Sequence, residues 1–352
     1  MNSFFHRAAA TLQQHWWRPR PSWLALALLP LAGLYLLLAG LNRLSWQLRK
    51  RPALPVPVVV VGNLIVGGAG KTPTTIALVQ WLQSQGWQPG IVSRGYGRAD
   101  PSLLLVTAQT PARLAGDEPL LMHLRTGAPV AVGRDRVAAA QALLAAHPSV
   151  DLIVSDDGLQ HWRLQHDLSL IVFDGRGAGN RLPLPAGPLR QRLPRHLPPG
   201  SWVVYNADAP TTPLPGGCAR RGPGGAVALS DWWQGAAGSM ATLAHLRAKS
   251  EENPLLAAAG IASPSRFFDM LRAAGLRLRE LPLPDHADLA ALPWPANEPD
   301  VLLTEKDAVK LPPGSTGSTR VWVVTLDFEL PAMLTGALRP ALASLIAAEH
   351  DR

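Results

Sequence analysis

From residue 56 onward, apolar positions gather into short unbroken runs separated by longer stretches of mixed polarity. The runs Val56–Leu64, Pro89–Val92, Pro129–Val132, Asp151–Ser155 and Leu168–Phe173 read as strands buried on both faces. Between them, Thr72–Gln85, Asp117–Arg125 and Arg134–Ala146 read as helices. This alternation predicts a doubly wound α/β domain, a parallel sheet with crossover helices and ligands at the carboxyl ends of its strands. Leu182–Pro199 is rich in proline and arginine and reads as a long surface loop, followed by a strand at Trp202–Tyr205. The proline- and glycine-rich stretch Pro210–Gly225 marks a boundary. Beyond it, strands at Leu255–Ala259, Val301–Thr304 and Arg320–Leu326 and a helix at Pro264–Ala274 predict a smaller α/β unit. The expected division is 1–50, 51–209 and 210–352.

The first of these parts has a different pattern. Trp23–Leu41 contains no charged residue, and these 19 residues would extend about 29 Å as a helix. Pro30, Gly33 and Gly40 suit lipid better than water, and Trp16, Trp17, Trp23 and Trp46 lie where interfacial aromatics belong. Arginines and a lysine flank the run at positions 7, 18, 20, 43 and 49–51. A signal peptide would be shorter and would carry a small-residue cleavage site; a buried core helix is the other alternative. The pattern predicts a membrane-associated segment, either spanning or lying partly inserted.

Charge adds one constraint. The net charge of +8 points to an anionic partner. Nucleic acid is not expected, since basic repeats interleaved with aromatics and helix-turn-helix spacing are missing. The single cysteine, Cys218, excludes an internal disulfide and a cysteine metal cluster, and fits a reducing compartment.

Candidate chemistry begins where the first strand ends. Gly67-Gly68-Ala69-Gly70-Lys71-Thr72-Pro73 stands between that strand and the first helix, the order of a phosphate-binding loop. Glycines let consecutive backbone N–H groups close on an anion. Lys71 would reach the β/γ-phosphates and the Thr72 hydroxyl would ligate Mg²⁺, which makes ATP or a related triphosphate the expected ligand. Ile65 stands where the common pattern has its first glycine, and Val66 where partitioning ATPases carry a signature lysine. Asp156 and Asp157 end a strand, where a carboxylate can hold the Mg²⁺ that bridges phosphates; the same pair could cap a turn.

Three further polar segments stand at element ends: Ser93–Arg98, Gly116–Pro119 and Thr304–Asp307. Each has a structural explanation when taken alone. Asp117 and Glu118 complement the dipole of a helix start, and Lys306-Asp307 lacks the asparagine and spacing of a guanine-selecting motif. His286 follows Asp285 in a proline-flanked loop.

Taken in order, these segments resemble the tetraacyldisaccharide 4'-kinases, the lipid A 4'-kinases of Gram-negative bacteria. The matching pieces are Val61-Gly62-Asn63 with the glycine loop, Ser93–Gly97, Gly116–Pro119, Val132–Arg136, Asp156–His161, Leu184–Arg190, Gly260–Ala262 and Asp285-His286. The resemblance implies transfer of the ATP γ-phosphoryl group to the 4'-hydroxyl of an acylated glucosamine disaccharide 1-phosphate at the cytoplasmic face of the inner membrane, with no obligate protein partner. It assigns Asp117 and His286 to orienting and deprotonating the hydroxyl, and Thr72, Glu118, Asp156 and Asp157 to Mg²⁺. Gln191 departs from the glutamate the family pattern leads one to expect, and is left outside the site. The alternative is a membrane-associated switch ATPase or GTPase that regulates a protein partner.

Overall fold

The computed structural model describes residues 12–350. In chain order the strands are β1 (Val58–Gly62), β2 (Pro89–Ser93), β3 (Leu104–Val106), β4 (Val130–Val132), β5 (Leu152–Asp156), β6 (Leu168–Asp174) and β7 (Ser201–Asn206). They continue with β8 (Gly216–Cys218), β9 (Arg220–Ala228), β10 (Leu255–Ala259), β11 (Leu278–Pro282), β12 (Asp300–Thr304) and β13 (Arg320–Glu329). They form an α/β protein with one eight-stranded and one five-stranded mixed sheet. The chain divides into two compact units, one of residues 1–74, 151–220 and 330–352, the other of residues 75–150 and 221–329.

In the first unit the strand order is β5-β1-β6-β7-β8, with every neighbouring pair parallel. The valines of β1 are fully withdrawn from water, which accounts for a run with no polar alternation. Val61 stands beside Asp156 in the ladder, so the glycine loop after β1 and the acids after β5 leave the sheet at the same end. The helix Lys71–Ser84 starts at the loop lysine itself.

The apolar N-terminal segment is two helices rather than one. Trp23–Ala27 is capped by the Ser22 hydroxyl, which accepts from the Ala25 N–H, and a second helix runs Leu29–Gln47. The break falls at Leu28 because Pro30 cannot donate to the preceding turn and belongs in the first turn of a new helix. The second helix continues past Leu41 and takes in Asn42 and Arg43. Among the described residues no helix is long and apolar enough to cross a membrane. Ala25 and Ala32 face inward, Tyr35 donates its hydroxyl to the Arg190 carbonyl (2.7 Å), and the Arg43 guanidinium stacks over Trp162. The opposite face leaves Leu34, Leu37, Leu38 and Leu41 exposed.

In the second unit, β4 pairs in parallel with β2 while β3 runs antiparallel beside β4, so the sheet is mixed where a parallel one was expected. The five-stranded sheet has the order β11-β10-β12-β13-β9, with β10 parallel to β11 and β12, and β12 parallel to β13. Leu243, Leu246, Leu255, Phe267, Phe268 and Leu271 pack as one cluster against this sheet. Each contributes about 1.5–3 kcal/mol by leaving water. Part of the stretch read as a boundary, Pro210–Gly225, carries β8 and the start of β9, which sit at sheet edges. Edge positions tolerate proline and glycine because one side of the ladder needs no partner.

Candidate active site

The candidate side chains gather in two clusters, one in each compact unit. In the first, Gly67 (φ 88°) and Gly70 (φ 92°) turn the loop through left-handed conformations. A Cβ on Gly70 would fall 2.1 Å from the Asn206 amide nitrogen, so the loop presses onto the end of β7 at a place only glycine can occupy. Asn63 donates to the Gly67 carbonyl (3.2 Å), and Arg176, gripped by the fully buried Asp174, donates to the Gly68 carbonyl (2.8 Å). Carbonyls held from outside leave the loop N–H groups for an anion.

Lys71, Asp156 and Asp157 stand at this same end of the sheet. Asp157 holds a left-handed backbone (φ 50°), its N–H donating to the Val61 carbonyl. Its Oδ1 lies 3.8 Å from Lys71 Nζ and accepts from Arg190 NH1 (2.9 Å), which also donates to Gln160 Oε1 (3.2 Å). Strained, non-glycine backbone at a charged strand end is characteristic of functional sites. Among the described residues no cluster of three or more acid, histidine or cysteine side chains forms a metal cage. A Mg²⁺ that arrives with a nucleotide needs only one or two carboxylates and a hydroxyl, and Asp156, Asp157 and Thr72 supply the oxygen donors such a hard cation takes.

The second cluster surrounds Asp117. The helix Asp117–Thr126 follows Gly116, whose φ of 88° and ψ of 144° lie in a region that glycine alone adopts readily. His286, also left-handed (φ 59°), brings Nδ1 to 3.1 Å from Asp117 Oδ2. A carboxylate can only accept, so Nδ1 carries the proton. Burial pushes the Asp117 carboxyl upward, but the His286 hydrogen bond and the charges of Lys310, His286 and Lys306 outweigh it and hold the group below the usual carboxylate value. Glu118 pairs with Lys306 (3.0 Å). Although Asp117 and His286 fall on either side of residue 209, they meet within one compact unit. The Tyr96 ring lies 5.7 Å from the imidazole. Beside the pair opens a cleft of about 890 Å³, lined among others by Thr110, Pro111, Trp233 and Val309, a size suited to a small-molecule ligand.

Comparison with known proteins shows the family to which the chain belongs. The family model for tetraacyldisaccharide-1-phosphate 4'-kinase matches residues 24–343. The chain belongs to this family. A tetraacyldisaccharide 4'-kinase of Methylibium petroleiphilum is 55% identical over 96% of this chain and 94% of its own. That of Leptothrix cholodnii is 52% identical over 85% of each chain. A crystal structure of the Aquifex aeolicus family member in complex with ATP superposes with a TM-score of 0.72 at 25% identity, covering 91% of this chain and 99% of that one. Membership in the 4'-kinase family makes the chain an ATP-binding kinase of lipid A biosynthesis and removes support from the switch ATPase reading.

Sequence reasoning missed several residues that the structure brings to these two clusters of the 4'-kinase. Arg176 and Asn206 shape the glycine loop from positions more than a hundred residues downstream, with no motif of their own. Lys306 belongs to a segment singled out for its polarity but given no role, and Lys310 lies just beyond it. Only the fold brings them to Asp117 and Glu118.

Proposed function

We propose that the enzyme moves the γ-phosphoryl group of ATP to the 4'-hydroxyl of a tetraacylated glucosamine disaccharide 1-phosphate, with Asp117 and His286 acting on the acceptor. The supporting observation is the Asp117–His286 hydrogen bond at the edge of a cleft large enough for a sugar. The loop amides of Gly67–Gly70 cradle the phosphates, and Lys71 lies along the β- and γ-groups. Thr72, Asp156 and Asp157 would hold Mg²⁺, which when bound would supply neutralisation of the phosphate charge.

The acceptor oxygen attacks the γ-phosphorus in line as the bond to the β,γ-bridging oxygen breaks, ADP leaves, and the hydroxyl proton passes to Asp117. A carboxylate held below its usual value is a weak base, which suits a loose transition state in which the attacking hydroxyl loses its proton late. His286 fixes the rotamer of Asp117 by donating its Nδ1 proton to Oδ2.

The Leu29–Gln47 helix lies in the lipid interface in this reading. Its leucine face enters the acyl region, while Arg18, Arg20, Arg49 and Lys50, all exposed, meet anionic headgroups at the cytoplasmic face of the inner membrane. The enzyme is thereby placed beside a substrate that cannot leave the bilayer.

The reading is tested by measuring ATP affinity and phosphoryl transfer in Asp117→Asn and His286→Ala. A positioned base supplies ~10²- to 10⁴-fold, so transfer falls by that order while ATP affinity stays within about twofold. Parallel loss of ATP affinity in both variants would remove Asp117 and His286 from the acceptor side.

A further inference from the structure

The segment Thr304–Lys310 has no part in the mechanism above, yet its side chains reach the dyad from two directions. Thr304 caps the short helix Glu305–Ala308 by accepting from the Asp307 N–H. Asp307 is 0% exposed; its Oδ2 accepts from the Gly260 N–H (2.9 Å) and the Thr304 hydroxyl (2.7 Å), and its Oδ1 from Lys310 Nζ (3.0 Å). The Gly260 carbonyl in turn accepts from the His286 N–H (3.3 Å). The backbone that carries His286 is therefore tied to the same acid that anchors Lys310.

From that anchor, Lys310 Nζ comes within 3.6 Å of Asp117 Oδ2, the oxygen already bonded to His286. Lys306 Nζ contacts three groups, none on its own element: Glu118 Oε1 (3.0 Å), Asp285 Oδ1 (3.1 Å) and His286 Nε2 (3.4 Å). Since an ammonium only donates, it turns a lone pair of the imidazole toward itself and leaves the other nitrogen to hold the proton shared with Asp117. The cluster sets the carboxylates of Asp117, Glu118 and Asp285 close together. Without the two cations these would repel one another and separate.

We propose that Lys306 and Lys310 are positioning residues of the phosphoryl-transfer site: Lys310 and His286 together engage Asp117 Oδ2 so that Oδ1 is presented to the acceptor hydroxyl, while Lys306 holds His286 and Glu118 in register. This rests on the assignment of Asp117 and His286 to the acceptor. Neither lysine is a catalytic residue, because each acts through a neighbour. The ammonium of Lys306 is itself stabilised where it stands: burial alone would lower it, but the charges of Glu118 and Asp285 and its hydrogen bonds to both hold it above the usual lysine value.

The test is a double-mutant cycle in the full-length enzyme with vesicle-borne disaccharide 1-phosphate lipid and ATP, using Lys306→Gln, Lys306→Arg, His286→Ala and the pair Lys306→Gln/His286→Ala. Displacing a reacting group by about 1 Å costs on the order of 10²-fold. The proposal therefore expects Lys306→Gln to lower kcat about 10- to 100-fold with KM for ATP within twofold, and Lys306→Arg to lose less. In the His286→Ala background the same Gln substitution should cost less than about threefold more, since residues acting as a unit are not additive. Unchanged kcat in Lys306→Gln, or a full additive loss in the pair, overturns the role given to Lys306 while leaving the dyad standing. Wild-type kcat in His286→Ala rejects the dyad and this inference with it. Lys310→Gln is made in parallel, and because it leaves the buried Asp307 charge without its partner, thermal unfolding is measured for every variant. If Lys310→Gln does not fold, Lys306 alone decides.

Discussion

His286 holds a φ of 59°, a conformation that side chains other than glycine adopt only at a cost of about 1–3 kcal/mol. Its N–H to Gly260 and its ring bond to Asp117 compensate for that strain. Glycine would occupy the same backbone freely. His286→Gly is therefore expected to unfold within about 1 kcal/mol of wild type in urea titration while transfer falls sharply; a loss above about 3 kcal/mol would show that the ring is structural. Lys71 is the opposite case. Its ammonium faces Asp157 Oδ1 with no strain, at the start of the helix that follows the loop. Lys71→Ala should abolish transfer more completely than His286→Ala, because charge neutralisation carries more of a phosphoryl transfer than the base does. Equal residual rates would contradict that division. Lys71, Thr72, Asp156 and Asp157 were legible as candidates because loop and acids each occupy one continuous segment at a strand end. Lys306 and Lys310 were not, because their partners are more than twenty residues distant in most cases and their meaning is a matter of tertiary position.

At the level of elements, legibility follows burial. β1 and β10 are buried throughout; β10 was read at its observed limits, and β1 within an apolar run that extends two residues beyond it at each end. β8 and β9 are rich in glycine, arginine and proline and lie at sheet edges, where composition carries little signal. The N-terminal helices show a further limit. Hydropathy reported an uncharged run but not the break that Pro30 imposes or the exposure of one leucine face. Removing a leucine from water is worth about 2 kcal/mol, so Leu37→Ser with Leu38→Ser should lower partition onto anionic vesicles by at least about tenfold with activity on detergent-dispersed lipid retained. Unchanged partition would mean this face does not enter the interface.

A second elemental prediction concerns the start of β12. Asp300, buried, accepts from Lys249, Arg320 and the Trp322 indole. Burial pushes its carboxyl upward, but the hydrogen bonds from Lys249, Trp322 and Arg320 prevail and hold it below the usual value. Its folded pKa is depressed, so its stabilisation is fully present above the unfolded carboxylate value and is lost as pH falls through the lower, folded one. Asp300→Asn should cost about 2 kcal/mol at pH 7, by analogy with hydrogen bonds to charged groups, and the difference from wild type should shrink below pH 4. A difference that stays constant with acid would contradict the ionised network.

For the whole molecule, the alternation of runs and helices made the α/β class readable, and several short motifs in order made the family readable. The compact units were not readable in this way. Residues 75–150 and 221–329 join through contacts between segments far apart in sequence, to which no linker composition points. The same joining completes the Asp117–His286 pair within one unit. A net charge of +8, an exposed leucine face and a glycine loop together suit an enzyme that brings a triphosphate to an anionic lipid. The most direct measurement is the fate of ATP labelled at the γ-phosphate, incubated with the full-length protein, Mg²⁺ and vesicles carrying the disaccharide 1-phosphate. Label recovered at the 4'-position of the lipid, in step with ADP release, is the predicted result; label recovered only as inorganic phosphate would contradict it.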